Sequence, residues 1–330
     1  MSIQAQARIE YPIKFTPILK EKIWGGDNLL RKFNKKSTKG NIGESWEISG
    51  ADGNVSVVSN GELKGLKLNE LIRRFKGDLV GEKIFERFGE KFPLLFKFID
   101  AKENLSIQLH PNDKLAAKRH NSFGKTEMWY VLDAQENSKI YAGLSKKLSK
   151  EEYLDYFQKG ELLDVIHKDK VDKGDSFFIE VGTIHAIGAG IVLAEIQQTS
   201  DVTYRIYDWD RVDDDGNSRK LHTDLALDAI DFNKVGSCKL QYENKKDVTN
   251  NIFDCSYFTT NKLRVSEKIH RDYKELDSFI VFMCIAGSGQ IIVDGKIEFM
   301  DQGDTVLIPA SIKGVTVYSN FDFELIEVYI

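Results

Sequence analysis

Phe279-Ile-Val-Phe-Met-Cys-Ile-Ala-Gly-Ser-Gly-Gln-Ile-Ile-Val-Asp-Gly295, followed by Gly303-Asp-Thr-Val-Leu-Ile-Pro309, is the stretch on which the fold of this chain turns. Short apolar and β-branched runs broken by Gly and Asp read as strands joined by tight turns. The same grammar recurs upstream in residues 45–49 (SWEIS), 93–101 (PLLFKFIDA), 104–110 (NLSIQLH), 126–134 (TEMWYVLDA) and 174–181 (GDSFFIEV). The fold class is therefore mainly β. Helical spacing is confined to insertions at about 68–90, 149–163 and 223–232, the second opened by a capping box of Ser149 and Glu152. Residues 236–257 are polar and lack periodicity, so they read as a connector between a larger domain over 1–235 and a smaller one over 258–330.

Composition narrows the function classes. A net charge of −5 over 46 basic and 51 acidic residues gives no general basic field for nucleic acid or an anionic membrane. The N-terminal segment, MSIQAQARIEYPIKFTP, lacks the apolar core of a signal peptide, and no apolar run is long enough to span a bilayer. Cys238, Cys255 and Cys284 are odd in number and never arranged as CxxC, which reads as reduced thiols in a cytoplasmic protein. The expected partner is a small molecule, and the chain is expected to be a monomer or homodimer.

Two of the six histidines sit in apolar strand-like contexts with useful polar neighbours. Period-two alternation places Ser106, Gln108 and His110 on one strand face and Ile107 and Leu109 on the other. It likewise aligns Lys125, Glu127 and Trp129, while His185 follows a Gly-Thr turn at a strand start. Two imidazoles, a carboxylate and an amide oxygen can surround a divalent metal and leave one position open to substrate. Taken singly, each residue also fits a duller role, as a hydrogen-bonded core histidine or an ion-pair partner. Lys97 interrupts the apolar run Leu94 to Ile99 and should point opposite to Phe96 and Phe98. Arg205 sits among Val202, Tyr204, Ile206 and Tyr207, where an unpaired guanidinium would be costly, so a partner or substrate anion is implied.

A resemblance adds to this reading. Residues 287–309 look like the paired hairpins of a cupin jelly-roll barrel, and Gly174-Asp175 with Gly182-Thr-Ile-His185 resembles the second cupin motif, with Glu180 at its usual proline position. Two cupin units with short helical insertions are implied. The C-terminal unit is a degenerate one, because its only histidine, His270, lies upstream of the motif. The blocks KIWGGDNL (22–29), GESWEIS (43–49), FPLLFKFIDA (92–101), LSIQLHPND (105–113), GKTEMWYV (124–131), GTIHAIGAG (182–190) and EIQQTSDVTYRIYDWDR (195–211) are similar to the short bacterial form of the type I mannose-6-phosphate isomerase family.

That resemblance implies an aldose–ketose isomerase interconverting mannose 6-phosphate and fructose 6-phosphate, with one Zn2+ per chain. It places the zinc ligands on Gln108, His110, Glu127 and His185 and the catalytic arginine on Arg205. Glu195, Lys125 and a zinc-bound water are the candidates for the general base. Lys97, Lys125 and Arg205 could meet the sugar or its phosphate, with Ser106 beside them. Trp24 and Trp46 fall in family blocks and either wall the pocket or pack in the core. Gly124 stands where some long family members have histidine. Two alternatives use the same fold: an iron(II) oxygenase with a 2-His-1-carboxylate site, or a sugar-binding cupin without catalysis.

Overall fold

The computed structural model describes residues 9–213 and 215–330, so the first eight residues of the N-terminal segment read above lie outside the described residues. Strands pair into four antiparallel sheets, two for each of two barrels. In the first barrel, a seven-stranded sheet runs in the order Lys239–Leu240, Ser176–Ile179, Glu127–Ala134, Ile191–Gln198, Leu94–Ala101, Ile18–Gly26 and Ile42–Ile48. It closes over a five-stranded sheet ordered Tyr204–Tyr207, Ile107–Leu109, His185–Ile187, Lys139–Leu144 and Ile166–Lys170. Trp129, Val131 and Leu193 from the first sheet pack with Ile140, Ala142 and Ile187 from the second, forming the apolar part of the barrel interior.

The second barrel repeats the plan with a second seven-stranded and a four-stranded sheet. Its interior is apolar, filled by Ile280, Phe282 and Cys284 from one side and Ile291, Val315 and Val317 from the other. The residues between these on the Ile280–Ala286 strand, Val281 and Met283, point outward into a third core. There they join Phe96, Phe98, Met128 and Tyr130 of the first barrel. The two large sheets are thus packed back to back. A strand buried on both faces carries no polar alternation, which is why the FIVFMCIA run is apolar throughout.

Each helical insertion is shorter than its sequence pattern. Residues 68–90 form three helices, Leu68–Phe75, Gly77–Val80 and Glu82–Phe88, separated where Lys76 (φ 47°) and Gly81 (φ 102°) take backbone angles no helix tolerates. The Ser149 capping box is formed, with the Glu152 amide donating to Ser149 Oγ at 3.1 Å and the Ser149 amide to Glu152 Oε2 at 2.7 Å. It starts a helix over Lys150–Gln158, with a 3-10 turn at Leu162–Asp164. The last insertion is helical only over Thr223–Leu227.

The expected connector is not free of regular structure. Lys239–Leu240 adds to the first barrel's sheet and Thr249–Asp254 is an edge strand of the second. Nor is the C-terminal barrel built from C-terminal residues alone. Ile13–Thr16 pairs with Thr305–Ile308, and Val57–Val58 extends that sheet by one more strand. No described helix is long and apolar enough to cross a membrane.

Candidate metal centre and the cavity around it

The strand registers deliver the site. Lys97 lies opposite Glu195, Glu195 opposite Trp129, and Gln197 opposite Glu127, so alternate residues of three neighbouring strands form one polar row inside the first barrel. On the facing sheet Gln108 lies opposite both His185 and Arg205. The Gly182 turn sets the position of His185. Gly182 has φ 82°, its amide donates to the His110 carbonyl at 2.9 Å, and a Cβ there would meet the Ala229 carbonyl oxygen at 2.9 Å.

His110, Glu127 and His185 converge as the sequence reading expected, with one donor atom of each within 4.8 Å of the others. All three side chains are 1% exposed. His110 Nδ1 donates to the Val202 carbonyl and His185 Nδ1 to the Thr183 carbonyl, each at 2.9 Å. Those bonds fix the tautomer in which both Nε2 lone pairs face Glu127, at 3.3 and 3.9 Å from its carboxylate oxygens. Glu127 Oε1 lies 2.8 Å from the Lys125 ammonium, while Glu127 Oε2 and His185 Nε2 have no hydrogen-bond partner among the described residues. Buried acceptors left this way are costly unless a cation satisfies them. The donor set of two imidazoles and a carboxylate fits a divalent metal ion. Gln108 lines the adjoining cavity and its Oε1 accepts from Ser106 Oγ at 3.2 Å.

Burial lowers the His110 pKa to about 4, with the neighbouring Lys125 ammonium acting in the same direction, and burial also depresses that of His185. Both rings are neutral at physiological pH, as metal ligation requires. Burial would raise the Glu127 carboxyl, but Lys125, 2.8 Å away, and the two histidines outweigh it and hold the group well below the usual carboxylate range. Burial would likewise strip charge from Lys97. Glu195 at 2.8 Å, with Glu44 and Glu127 nearby, more than compensates and raises its pKa. Lys97 also donates to Gln197 Oε1 at 2.7 Å, and the other Glu195 oxygen accepts from Trp129 Nε1 at 3.0 Å.

A cavity of about 330 Å³ opens from this centre, large enough for a sugar phosphate. Lys97, Lys125, Glu195, Ser106, Gln108, His185 and Trp24 line it, as does the half-buried Arg205. Arg205 Nε donates to Ser106 Oγ at 3.3 Å and Nη1 to the Lys220 carbonyl at 3.0 Å. Trp46 is a correction to the sequence reading. It does not line the cavity but lies behind it, under the Lys97 ammonium at 5.3 Å, with its Nε1 donating to Glu44. The sequence reading also missed Lys22, Glu44, Asp201, Thr203 and Arg219 in the lining. Glu44 was within reach, because it shares a period-two strand face with Trp46. Arg219 lies in a polar segment with no periodicity to mark it.

Fold and site together define a two-barrel cupin protein with a buried His-Glu-His triad fitted to a metal ion. The chain matches the model of the phosphomannose isomerase type I catalytic domain over residues 13–141, and that of the mannose-6-phosphate isomerase cupin domain over 248–330. It is 36% identical to mannose-6-phosphate isomerase ManA of Bacillus subtilis, over 90% of this chain and 93% of that one. It is 34% identical to the mannose-6-phosphate isomerase of Streptococcus mutans, over 92% of this chain and 93% of that one. The crystal structure of the mannose 6-phosphate isomerase from Bacillus subtilis superposes with a TM-score of 0.87 at 33% identity, covering 97% of this chain and 99% of that one. The chain belongs to the type I phosphomannose isomerase family, in its short bacterial form.

Proposed function

We propose that this protein interconverts mannose 6-phosphate and fructose 6-phosphate at the His110–Glu127–His185 centre. The observation that carries this reading is the buried donor triad opening onto a cavity lined by basic residues. His110, Glu127 and His185 would hold the metal, which we assign as zinc, with the Gln108 amide oxygen as a fourth donor. When bound, the ion acts as a Lewis acid toward a substrate oxygen.

The chain's own residues supply the rest. Arg205, beside Ser106 at the edge of the centre, donates toward the oxygen on which negative charge develops as a proton passes between C1 and C2. Glu195 and Lys125 are the side chains able to carry that proton. Both Glu195 oxygens are already taken, by Lys97 and Trp129, which favours a positioning role for it. We assign the proton to Lys125, whose Nζ lies 2.8 Å from Glu127 and so faces the centre where the reacting carbons would sit. Lys97 holds Glu195 and Gln197 in place, and Gln197 in turn donates to the Ser200 carbonyl at 2.8 Å, bracing the loop whose Val202 carbonyl orients His110.

The oxygenase alternative uses the same triad but gives the basic lining no task. Incubating the protein with mannose 6-phosphate, with and without a chelator, and measuring fructose 6-phosphate tests the reading. Metal analysis of the same sample separates zinc from iron.

A further inference from the structure

Lys125 enters the cavity from the chain just ahead of a strand. The register of Ile191–Gln198 on Glu127–Ala134 ends with Gln197 opposite Glu127, and one backbone bond lies beyond it, from the Gln198 amide to the Thr126 carbonyl at 3.2 Å. Otherwise the peptide around the lysine is fixed by side chains. The Gly124 amide donates to Asp113 Oδ1 at 2.7 Å, and the Thr126 amide to Gln198 Oε1 at 3.0 Å. Gln198 Nε2 donates to the same Asp113 oxygen at 3.1 Å, which closes a clamp over both sides of Lys125. Gly124 leaves room for it, because a Cβ there would stand 2.8 Å from the Asp113 nitrogen and 2.9 Å from its Oδ1. The other Asp113 oxygen, Oδ2, accepts from the Tyr257 hydroxyl at 2.8 Å. Tyr257 lies in the turn between Thr249–Asp254 and Thr259–Val265, two paired strands of the second barrel.

Gly124, Lys125, Thr126 and Gln198 are buried. A buried amide that loses its acceptor either stays unpaired at a cost or draws its peptide toward a new partner. The Lys125 ammonium, 2.8 Å from Glu127 and 3.3 Å from His110 Nε2, would move with that peptide. We propose that Asp113 is a positioning residue for Lys125, and that the Tyr257 hydroxyl of the second barrel seats it. This rests on the isomerase reading and gives the second barrel a part in proton transfer at the first barrel's centre. Displacing a reacting group by about 1 Å costs on the order of 10²-fold in rate.

The test compares wild type with Asp113→Ala, Asp113→Asn and Tyr257→Phe, each assayed with mannose 6-phosphate carrying hydrogen or deuterium at C2. Asp113→Ala should lower kcat by about 10- to 100-fold, with KM within about threefold and metal content unchanged. Its isotope effect on kcat should exceed that of wild type, because the proton step becomes slower relative to the others. Asp113→Asn keeps an acceptor for both donors and can give its NH2 to the Tyr257 oxygen, so most of kcat should return. Tyr257→Phe keeps the ring and loses one hydrogen bond. It should show the Asp113→Ala pattern at smaller size, and it decides the matter if Asp113→Ala does not fold. Wild-type kcat in Asp113→Ala or Tyr257→Phe, a lower kcat with an unchanged isotope effect, or a loss that follows metal content would overturn the proposal. Hydrogen exchange of the peptide over residues 121–127 separates the two readings. If wild type forms no fructose 6-phosphate yet this peptide exchanges faster in Asp113→Ala, the isomerase reading falls and the clamp stands.

Discussion

Lys97 and Glu195 face each other across neighbouring strands, and their side chains meet at 2.8 Å with residue exposures of 5% and 3%. A pair this deep is not a gain over apolar residues, since desolvation offsets most of the attraction, but removing one member leaves a bare charge. Lys97→Ala should therefore destabilise the protein by about 3–5 kcal/mol, read from urea unfolding. The double variant Lys97→Met with Glu195→Gln should recover more than half of that loss. Equal destabilisation in the single and double variants would show that the pair is not coupled.

The metal-free protein should lose stability in a defined pH window. His110 titrates near pH 4 when folded, well below the ordinary 6.5 it regains when unfolded. The unfolded chain then binds more protons between these values, so stability is complete above about pH 6.5 and falls as pH drops toward about 4. The fall amounts to on the order of 3 kcal/mol from His110, with His185 adding in the same direction. Urea titrations of chelator-treated protein should show this slope, and His110→Gln should flatten it.

Arg205→Ala should leave the metal in place and cut kcat by about 10²-fold or more, as loss of a donor to a developing oxyanion does. Arg205→Lys should recover little, because a lysine cannot reproduce the planar fork that reaches both Ser106 and the Lys220 carbonyl. Loss of metal from a folded Arg205→Ala protein would mean that the residue supports the triad instead.

Gly182→Ala tests the turn that positions His185. The added methyl meets the Ala229 carbonyl at 2.9 Å and φ is 82°, so strain of about 1–3 kcal/mol is expected. Weaker metal affinity should accompany it, measured by chelator competition. Unchanged affinity would show that the turn adapts without moving the imidazole.

Much of this site was legible in strand periodicity. Alternation alone turns Lys97 away from Phe96 and Phe98, and the structure places those two rings in the inter-barrel core and Lys97 in the cavity. It also sets Gln108 beside His110 and Lys125 beside Glu127. Alternation cannot say which strands pair, so bringing Glu127 to His185 needed the family resemblance. Alternation also leaves Trp46 between pocket wall and core: it shares the inward face, but the Lys97 ammonium lies over its ring and it does not line the cavity. Arg219 and Asp208 sit in turn-rich chain, where placement depends on side-chain ion pairs and not on any repeat. The Ile13–Thr16 strand carries nothing local to announce a partner at Thr305–Ile308 near the far end of the chain.

The central claim is that one metal ion held by His110, Glu127 and His185 is required for isomerisation. Its most direct test is to strip the purified protein of metal, restore zinc in substoichiometric steps, and follow fructose 6-phosphate formation from mannose 6-phosphate. Activity should rise linearly and saturate at about one ion per chain, and Glu127→Ala should neither retain the ion nor turn over. Full turnover in the stripped protein, or in Glu127→Ala, would contradict the account.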